Sequence, residues 1–126
     1  MNNELFESNV LNDMAEFVYK AAKDAGWHES NDIDARIGNF VANLHSETSE
    51  LWEAYRNGTL NFPCDKSDLM TKHLGETLTC KEEELADIVI RALDTAKFLN
   101  VDISKAVRIK LAFNKTRSKR HGGKLA

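Results

Sequence analysis

Apolar side chains recur at helical spacing in the middle of this chain. Phe40, Leu44, Glu47, Leu51 and Ala54 follow one another in steps of four, three, four and three residues. Such steps place side chains on one face of an α-helix, so the stripe predicts a helix with this face turned inward. One member of the stripe is Glu47, and a buried carboxylate is costly unless a cation or a proton compensates it.

The same spacing predicts four helices, and no segment alternates with the two-residue period of a β-strand. The predicted helices span residues 4–25, 34–57, 81–99 and 103–117. Boundary signals support them: Gly26, Asn57-Gly58 and, as an N-cap, Asp102. We therefore expect an all-α fold, a four-helix-type bundle that is oligomeric, with a long loop between its second and third helices.

That loop, residues 58–81, contains the only proline of the chain, Pro63. We expect a short helix near residues 67–73 within it. Loops of this length in a compact domain are often functional, which makes the segment a candidate lid or substrate-selecting flap. Disorder is the alternative interpretation.

Length, cysteines and hydropathy restrict the class of protein. A chain of 126 residues with 42% hydrophobic content has the size of one domain and can form a core without disulfides. Cys64 and Cys80 lack the spacing of zinc or redox motifs, so we expect free thiols. No apolar run approaches the ~18 residues of a membrane span. We expect a single domain over residues 1–126 in the cytoplasm, with no membrane partner.

Charge is distributed unevenly along the chain. Residues 1–104 carry a net charge of −11 and residues 105–126 a net charge of +8. The basic end includes an expected flexible tail at about residues 118–126. An acidic body with a basic end suits a ligand that combines cations with phosphates. The alternative is a helical nucleic-acid-binding or assembly module that uses the basic tail, although we do not expect nucleic acid as the partner.

Two acidic pairs are candidates for a metal site. Glu47 and Glu50 lie on the second predicted helix, and Glu84 and Asp87 on the third. Residues three apart project side by side from a helix, so two facing helices would present four carboxylates. Seven acidic pairs in the chain have this spacing. These two differ because they interrupt or flank apolar stripes; the stripe of the third helix consists of Leu85, Val89, Ala92, Leu93 and Ala96.

Four adjacent carboxylates require compensation, since one pair of charges at 4 Å interacts with about 4 kcal/mol at an effective dielectric constant near 20. Protonation, a partner such as Arg91, or divalent cations could supply it. Carboxylates without clustered histidines favour Mg²⁺, with Mn²⁺ as a substitute, and Ca²⁺ also suits these ligands. Because Mg²⁺ often completes its coordination with phosphates, we expect a nucleotide or another polyphosphate as substrate.

The last predicted helix could bind such an anion. Its stripe begins with the apolar Ile103 and Val107 and continues with Lys110, Asn114 and Arg117. Four aromatic residues could either stack on a base or belong to the core: Trp27, Phe40, Trp52 and Tyr55.

These motifs resemble those of the MazG-like all-α nucleoside triphosphate pyrophosphohydrolases. The resemblance extends over roughly residues 34–124, and it is most specific in Glu83-Glu84-Leu85-Ala86-Asp87-Ile88-Val89. It implies hydrolysis of a (deoxy)nucleoside triphosphate to monophosphate and pyrophosphate, by homodimers or homotetramers. It further implies that Glu47, Glu50, Glu84 and Asp87 bind Mg²⁺, with Glu47 and Glu50 catalytic. Residues implied near the phosphates or nucleotide, across a subunit interface in some cases, are Lys110, Asn114, Lys115, Arg117 and Arg120.

The chain also departs from the family pattern. Ser46 stands where many members carry glutamate, and the 33 residues of Leu51–Glu83 exceed the spacing of compact members. The general base therefore stays open between Glu47 and Glu50, with Glu53 or Glu83 as an indirect contributor. The nucleotide specificity is open as well.

Overall fold

The computed structural model describes residues 4, 7–29 and 33–126, and these contain helices and no β-strand. We number the helices α1 Val10–Asp24, α2 Ile33–Arg56, α3 Ser67–Leu74, α4 Cys80–Phe98, α5 Ile103–Lys115 and α6 Arg120–Gly123. The all-α prediction is confirmed. The expected basic tail contains α6, a single turn.

Helix boundaries follow the sequence signals except at the first helix. The chain bends at Ser8 and Asn9, so the continuous helix begins at Val10 rather than at Glu4. Oγ of Ser8 accepts a hydrogen bond from the backbone N–H of Val10 at 3.3 Å. Short polar side chains compete in this way with the helical hydrogen bonds. Residues 5 and 6 of the expected helix lie outside the described residues.

The central element is α4, which packs against both α1 and α2. Near its carboxyl end, the Phe98 ring stacks on Phe40 of α2 with centroids 4.4 Å apart. His28, from the connection between α1 and α2, lies in the same stack, 4.3 Å from Tyr19 of α1. These rings join the three helices.

Helix α5 is attached to α1 through its first turn. The backbone N–H of Asn12 donates to Oγ of Ser104 at 3.0 Å, and Oδ1 of Asn12 accepts from the backbone N–H of Ser104 at 3.0 Å. Nδ2 of Asn12 donates to Oδ1 of Asp102. Asp102 also caps α5 by accepting from the backbone N–H of Lys105, as its position in the sequence predicts.

The apolar core formed by the described residues is small. The buried apolar residues among those described are Ala15, Phe40, Cys64, Leu93 and Ala96. The predicted inward face of α4 is wrong at its amino-terminal half, where Leu85 is 52% and Val89 49% exposed. In that half of α4, Glu84 and Asp87 face α2. Leu85 and Val89 lie on roughly the opposite face of the helix and therefore point to solvent. Helix α4 therefore shows an apolar surface to solvent in the single chain.

The segment between α2 and α4, residues 57–79, is folded back on the start of α4; we call it the insert. An isolated antiparallel bridge joins Pro63 to Thr79. It is flanked by hydrogen bonds from the N–H of Cys64 to the carbonyl of Leu78 and from the N–H of Cys80 to the carbonyl of Phe62. The predicted short helix is present as α3. The insert thus has a defined conformation.

Two further sequence expectations can be compared with the structure. Cys64 and Cys80 are free thiols, as predicted. Among the described helices, none combines the length and hydropathy needed to cross a membrane.

Candidate metal centre

The four carboxylates singled out by the sequence meet at the contact between α2 and α4. One oxygen from each of Glu47, Glu50, Glu84 and Asp87 lies within 4.8 Å of the other three. We call this group the acidic cluster. Glu47 is buried, as its inward position in the apolar stripe predicts, and Glu50 is the exposed member. The helical spacing of three residues produces both pairs.

Crowding and burial change the acidity of the cluster. Burial raises the pKa of Glu84 to about 7, and a hydrogen bond with Glu50 and the charges of nearby carboxylates add to this effect. Burial also raises the pKa of Asp87, and the negative charge of Glu47 contributes. One proton therefore relieves part of the repulsion near neutral pH.

An arginine compensates part of the remaining charge. Nε of Arg91 donates to Oε1 of Glu47 at 3.2 Å. Arg91 lies four residues after Asp87, and therefore one helical turn further along α4. The sequence analysis named protonation and Arg91 as alternatives to a metal. In the metal-free protein both reduce the repulsion among the carboxylates.

The cluster also has the properties of a divalent-cation site. Its donors are all carboxylate oxygens, the ligands that Mg²⁺ and Mn²⁺ prefer. Oε2 of Glu84 is buried and has no hydrogen-bond partner in the described part of the chain. A buried acceptor without a partner is costly, and a cation would satisfy it. The residues therefore fit a bound metal ion.

A cavity of about 480 Å³ opens beside the cluster, between α1 and α4. Glu47 and Asp87 form part of its lining, together with Phe17, Trp27 and Asp94. Its volume lies in the range of small-molecule sites, and its wall is largely apolar with a few charged groups. The acidic cluster and an apolar cavity therefore share a boundary.

A buried polar network supports the far side of this cavity. Nε2 of His28 lies 2.7 Å from Oδ1 of Asp94, and both residues are buried. Nη2 of Arg36 lies 3.0 Å from Nδ1 of His28 and donates to the carbonyl of Trp27 at 2.9 Å. Because a guanidinium only donates, Nδ1 accepts and Nε2 donates to Asp94. The network fixes Asp94 at the cavity wall.

The basic and polar residues expected near phosphates lie on α5 and beyond it. Nζ of Lys110 and Cζ of Arg117 lie over the ring of Phe113, 5.3 and 5.6 Å from its centroid. Oδ1 of Asn114 is buried without a hydrogen-bond partner in the described residues. Lys115 ends α5, and Arg120 begins α6. Within one chain α5 packs against α1, whereas the acidic cluster lies between α2 and α4.

The four aromatic candidates have different positions. Phe40 is buried and belongs to the core. Trp52 and Tyr55 stack on each other on the exposed side of α2, with centroids 5.5 Å apart. Trp27 is 70% exposed and lines the cavity. Of the four, Trp27 is the residue available to a ligand beside the acidic cluster.

Sequence reasoning missed two contributors to the site. Lys66 of the insert forms an ion pair with the buried Glu83, which precedes Glu84 on α4. Asp94 reaches the cavity wall through its bond to His28. Neither pairing has a signal in the sequence, because each depends on how a connecting segment folds back on α4.

Comparison with known proteins yields one short match. Over 35 residues the chain is 54% identical to a protein of Cyanophage S-2L described as dATP/dGTP diphosphohydrolase. The matched segment covers 28% of this chain and 33% of the phage protein, so the chain spans a third of the length of that relative. No family model matches the chain, and no solved structure matches it significantly. Over this segment the chain is similar to an enzyme that hydrolyses nucleotides.

Proposed function

We propose that the protein is a Mg²⁺-dependent pyrophosphohydrolase of the MazG-like class. On this proposal it converts a (deoxy)nucleoside triphosphate to the monophosphate and pyrophosphate. The observation that carries the proposal is the acidic cluster, with four carboxylate oxygens within 4.8 Å of one another. The segment similar to the phage dATP/dGTP diphosphohydrolase supports the nucleotide as substrate.

The residues of the cluster share one part in the proposed reaction, and Glu50 has a second. Glu47, Glu50, Glu84 and Asp87 would hold the metal ion, and the bound ion would polarise the phosphates and stabilise the leaving pyrophosphate. Glu50 is the exposed member of the cluster, so water reaches it, and it takes the proton of the attacking water. Arg91 holds Glu47 in a fixed orientation through their hydrogen bond. The deprotonated water would attack the α-phosphorus, and the P–O bond from the α-phosphorus to the oxygen that bridges the α- and β-phosphates would break, so that pyrophosphate leaves and the monophosphate remains.

The cavity beside the cluster supplies a place for the nucleoside. Its apolar wall and the exposed ring of Trp27 suit the face of a base. Its shared boundary at Glu47 and Asp87 would bring the phosphates of such a ligand to the acidic cluster. Lys110, Asn114, Lys115, Arg117 and Arg120 would approach the phosphates from a second subunit, which suits the separation of α5 from the cluster within one chain.

We also propose that the active form is a homodimer or homotetramer. Leu85 and Val89 of α4 and Ile109 and Phe113 of α5 are about half exposed in the single chain. A second copy that covers these side chains would gain the free energy of apolar burial, about 25 cal/mol per Å².

The proposal is tested by product analysis on the purified full chain with Mg²⁺. A panel of canonical and modified nucleoside triphosphates is incubated with micromolar enzyme, and the products are separated by ion-exchange chromatography. We expect at least one triphosphate to yield pyrophosphate and the monophosphate. Release of orthophosphate with the diphosphate, or no product from any nucleotide, would contradict the proposal.

A further inference from the structure

Lys66 brings a positive charge from the insert to the edge of the acidic cluster. Its Nζ lies 2.5 Å from Oε1 of Glu83 and 3.3 Å from Oδ1 of Asp65. The side chain of Glu83 is 8% exposed, so this contact is made with a buried carboxylate. Glu83 is adjacent to Glu84 and one helical turn before Asp87 on α4. Lys66 therefore acts on the electrostatics of the cluster itself.

The fold of the insert fixes the backbone of Lys66. Lys66 is the N-cap residue of α3, and its carbonyl accepts from the N–H of Met70 at 2.9 Å. The N–H of Ser67 donates to the carbonyl of Cys64, and Cys64 is buried and paired with Leu78. Backbone hydrogen bonds therefore hold the chain on both sides of Lys66, and the side chain extends from this position to Glu83.

The charges around the cluster are only partly balanced. The cluster and Glu83 together make five carboxylates, of which Glu47 is paired with Arg91 and Glu83 with Lys66. The Lys66 side chain is 59% exposed, so its charge is partly screened, but an ammonium group beside a metal site still repels a divalent cation. Its ion pair with Oε1 also competes with any rotation of the Glu83 carboxylate toward the ligands. Both effects act in the same direction, toward weaker binding of metal.

We propose that Lys66 is a positioning residue that holds Glu83 outside the ligand set and limits the affinity of the acidic cluster for divalent cations. The inference rests on the proposed function only in taking the cluster as a metal centre. It gives the insert a role, since Lys66 supplies compensating charge before a metal binds and keeps the cluster from holding the metal too tightly.

The test is a titration of the metal-free full chain with Mn²⁺ in the absence of nucleotide, with free Mn²⁺ measured by electron paramagnetic resonance. We expect Lys66→Met to bind Mn²⁺ roughly tenfold more tightly than the unsubstituted protein, because a repulsive charge is removed. Lys66→Arg keeps the charge and should bind as the unsubstituted protein does. Lys72→Met is the matched control, since it removes an exposed lysine of α3 from the same insert.

Equal affinities for Lys66→Met and Lys72→Met would overturn the inference. Weaker binding by Lys66→Met would overturn it too, because Lys66 would then shape the site rather than limit it. Circular dichroism checks the fold. If the methionine variant misfolds, Lys66→Gln replaces it; this variant removes the charge but keeps a donor for Glu83, so we expect tighter binding by a smaller factor. Absence of Mn²⁺ binding in the unsubstituted protein would overturn both this inference and the metal-dependent function. Tighter binding without pyrophosphate release would support the inference and contradict the function.

Discussion

Glu50 is the residue whose substitution separates a catalytic from a structural acidic cluster. Glu50→Gln removes one ligand charge and the proposed base while it relieves repulsion, so the helical fold should persist. We expect weaker binding of Mg²⁺ and a loss of turnover of roughly 10²–10⁴-fold. Isothermal titration with Mg²⁺ measures the binding, pyrophosphate release measures the turnover, and circular dichroism checks that the helical fold persists.

The matched control for this substitution is Glu53→Gln, one turn further along α2. The sequence left Glu53 open as an indirect contributor to the general base, but Glu53 is exposed, pairs with Arg56 at 3.2 Å and is not a member of the acidic cluster. It should retain activity close to that of the unsubstituted protein. Loss of helical signal in Glu50→Gln, or equal loss of activity in both variants, would argue for a structural role of this helix face.

Glu84 should make the metal-free protein less stable as the pH rises. Its pKa is about 7 in the folded protein against 4.5 for the free side chain, so between these values the folded state binds more protons than the unfolded state. The contribution of Glu84 to stability is fully present below about pH 4.5 and is lost as the pH rises through about 7. Urea unfolding in EDTA from pH 4.5 to 8 should show this decline.

Glu84→Gln is the reference for that experiment, because glutamine does not ionise. Its stability should vary less over the same range, so the difference between the two proteins should grow with pH. A parallel pH dependence in both proteins would show that Glu84 is not the group responsible.

At the scale of single residues, the sequence predicted the four carboxylates and their partner Arg91, and it missed Lys66. The phase of Glu47 within an apolar stripe was enough to predict its burial, since helical geometry relates position in the sequence to direction. Lys66 is 17 residues from Glu83, across a segment without helical period. No periodicity links residues whose contact is created by a folded connection.

At the scale of elements, the connection between α1 and α2 is held to α4 by the buried pair of His28 and Asp94. Asp94→Ala would leave Nε2 of the buried His28 without its acceptor. We expect a loss of about 2–4 kcal/mol in the free energy of unfolding, because a buried hydrogen-bonded network is broken. Urea unfolding measures it.

Asp24→Ala provides the comparison for this buried pair. Asp24 forms an exposed ion pair with Lys20 at 3.2 Å, and such pairs contribute 0–1 kcal/mol. A loss for Asp94→Ala no larger than that for Asp24→Ala would contradict the stabilising role of the network. The double variant His28→Ala/Asp94→Ala should lose less than the sum of the single variants, since both remove the same contact.

The helices themselves were predictable because local signals determine their ends. Asp102 caps α5, and the turn after α2 uses Gly58 with φ of +69°. The start of α1 and the inner face of α4 were not predictable in the same way. A bend at Ser8 and Asn9 interrupts one pattern, and in α4 the acidic face packs inward while Leu85 and Val89 point outward. Hydropathy alone places the apolar face of a helix in the interior, and this rule gave the wrong inner face for the first half of α4.

At the scale of the whole molecule, the outward apolar face of α4 predicts self-association. Leu85→Glu/Val89→Glu should lower the molecular mass in sedimentation to that of one chain and should lower activity if a second subunit completes the site. The melting temperature of the unsubstituted protein should rise with its concentration, because association stabilises the folded state.

Leu74→Glu is the control for this pair, since Leu74 is 72% exposed but lies on α3 in the insert. It should leave the mass of the assembly unchanged. A monomeric unsubstituted protein, or dissociation by Leu74→Glu to the same degree, would contradict an interface centred on α4.

The attachment of α5 has a mechanical consequence. Asn12 secures this helix at Asp102 and Ser104, within its first turn. The 13 residues of α5 extend about 20 Å from this attachment. At that length, a rotation of α5 about its first turn would displace Lys115 far more than Ser104. A ligand held by Lys115 would restrict such rotation, and the entropy lost in doing so would be subtracted from the affinity of binding.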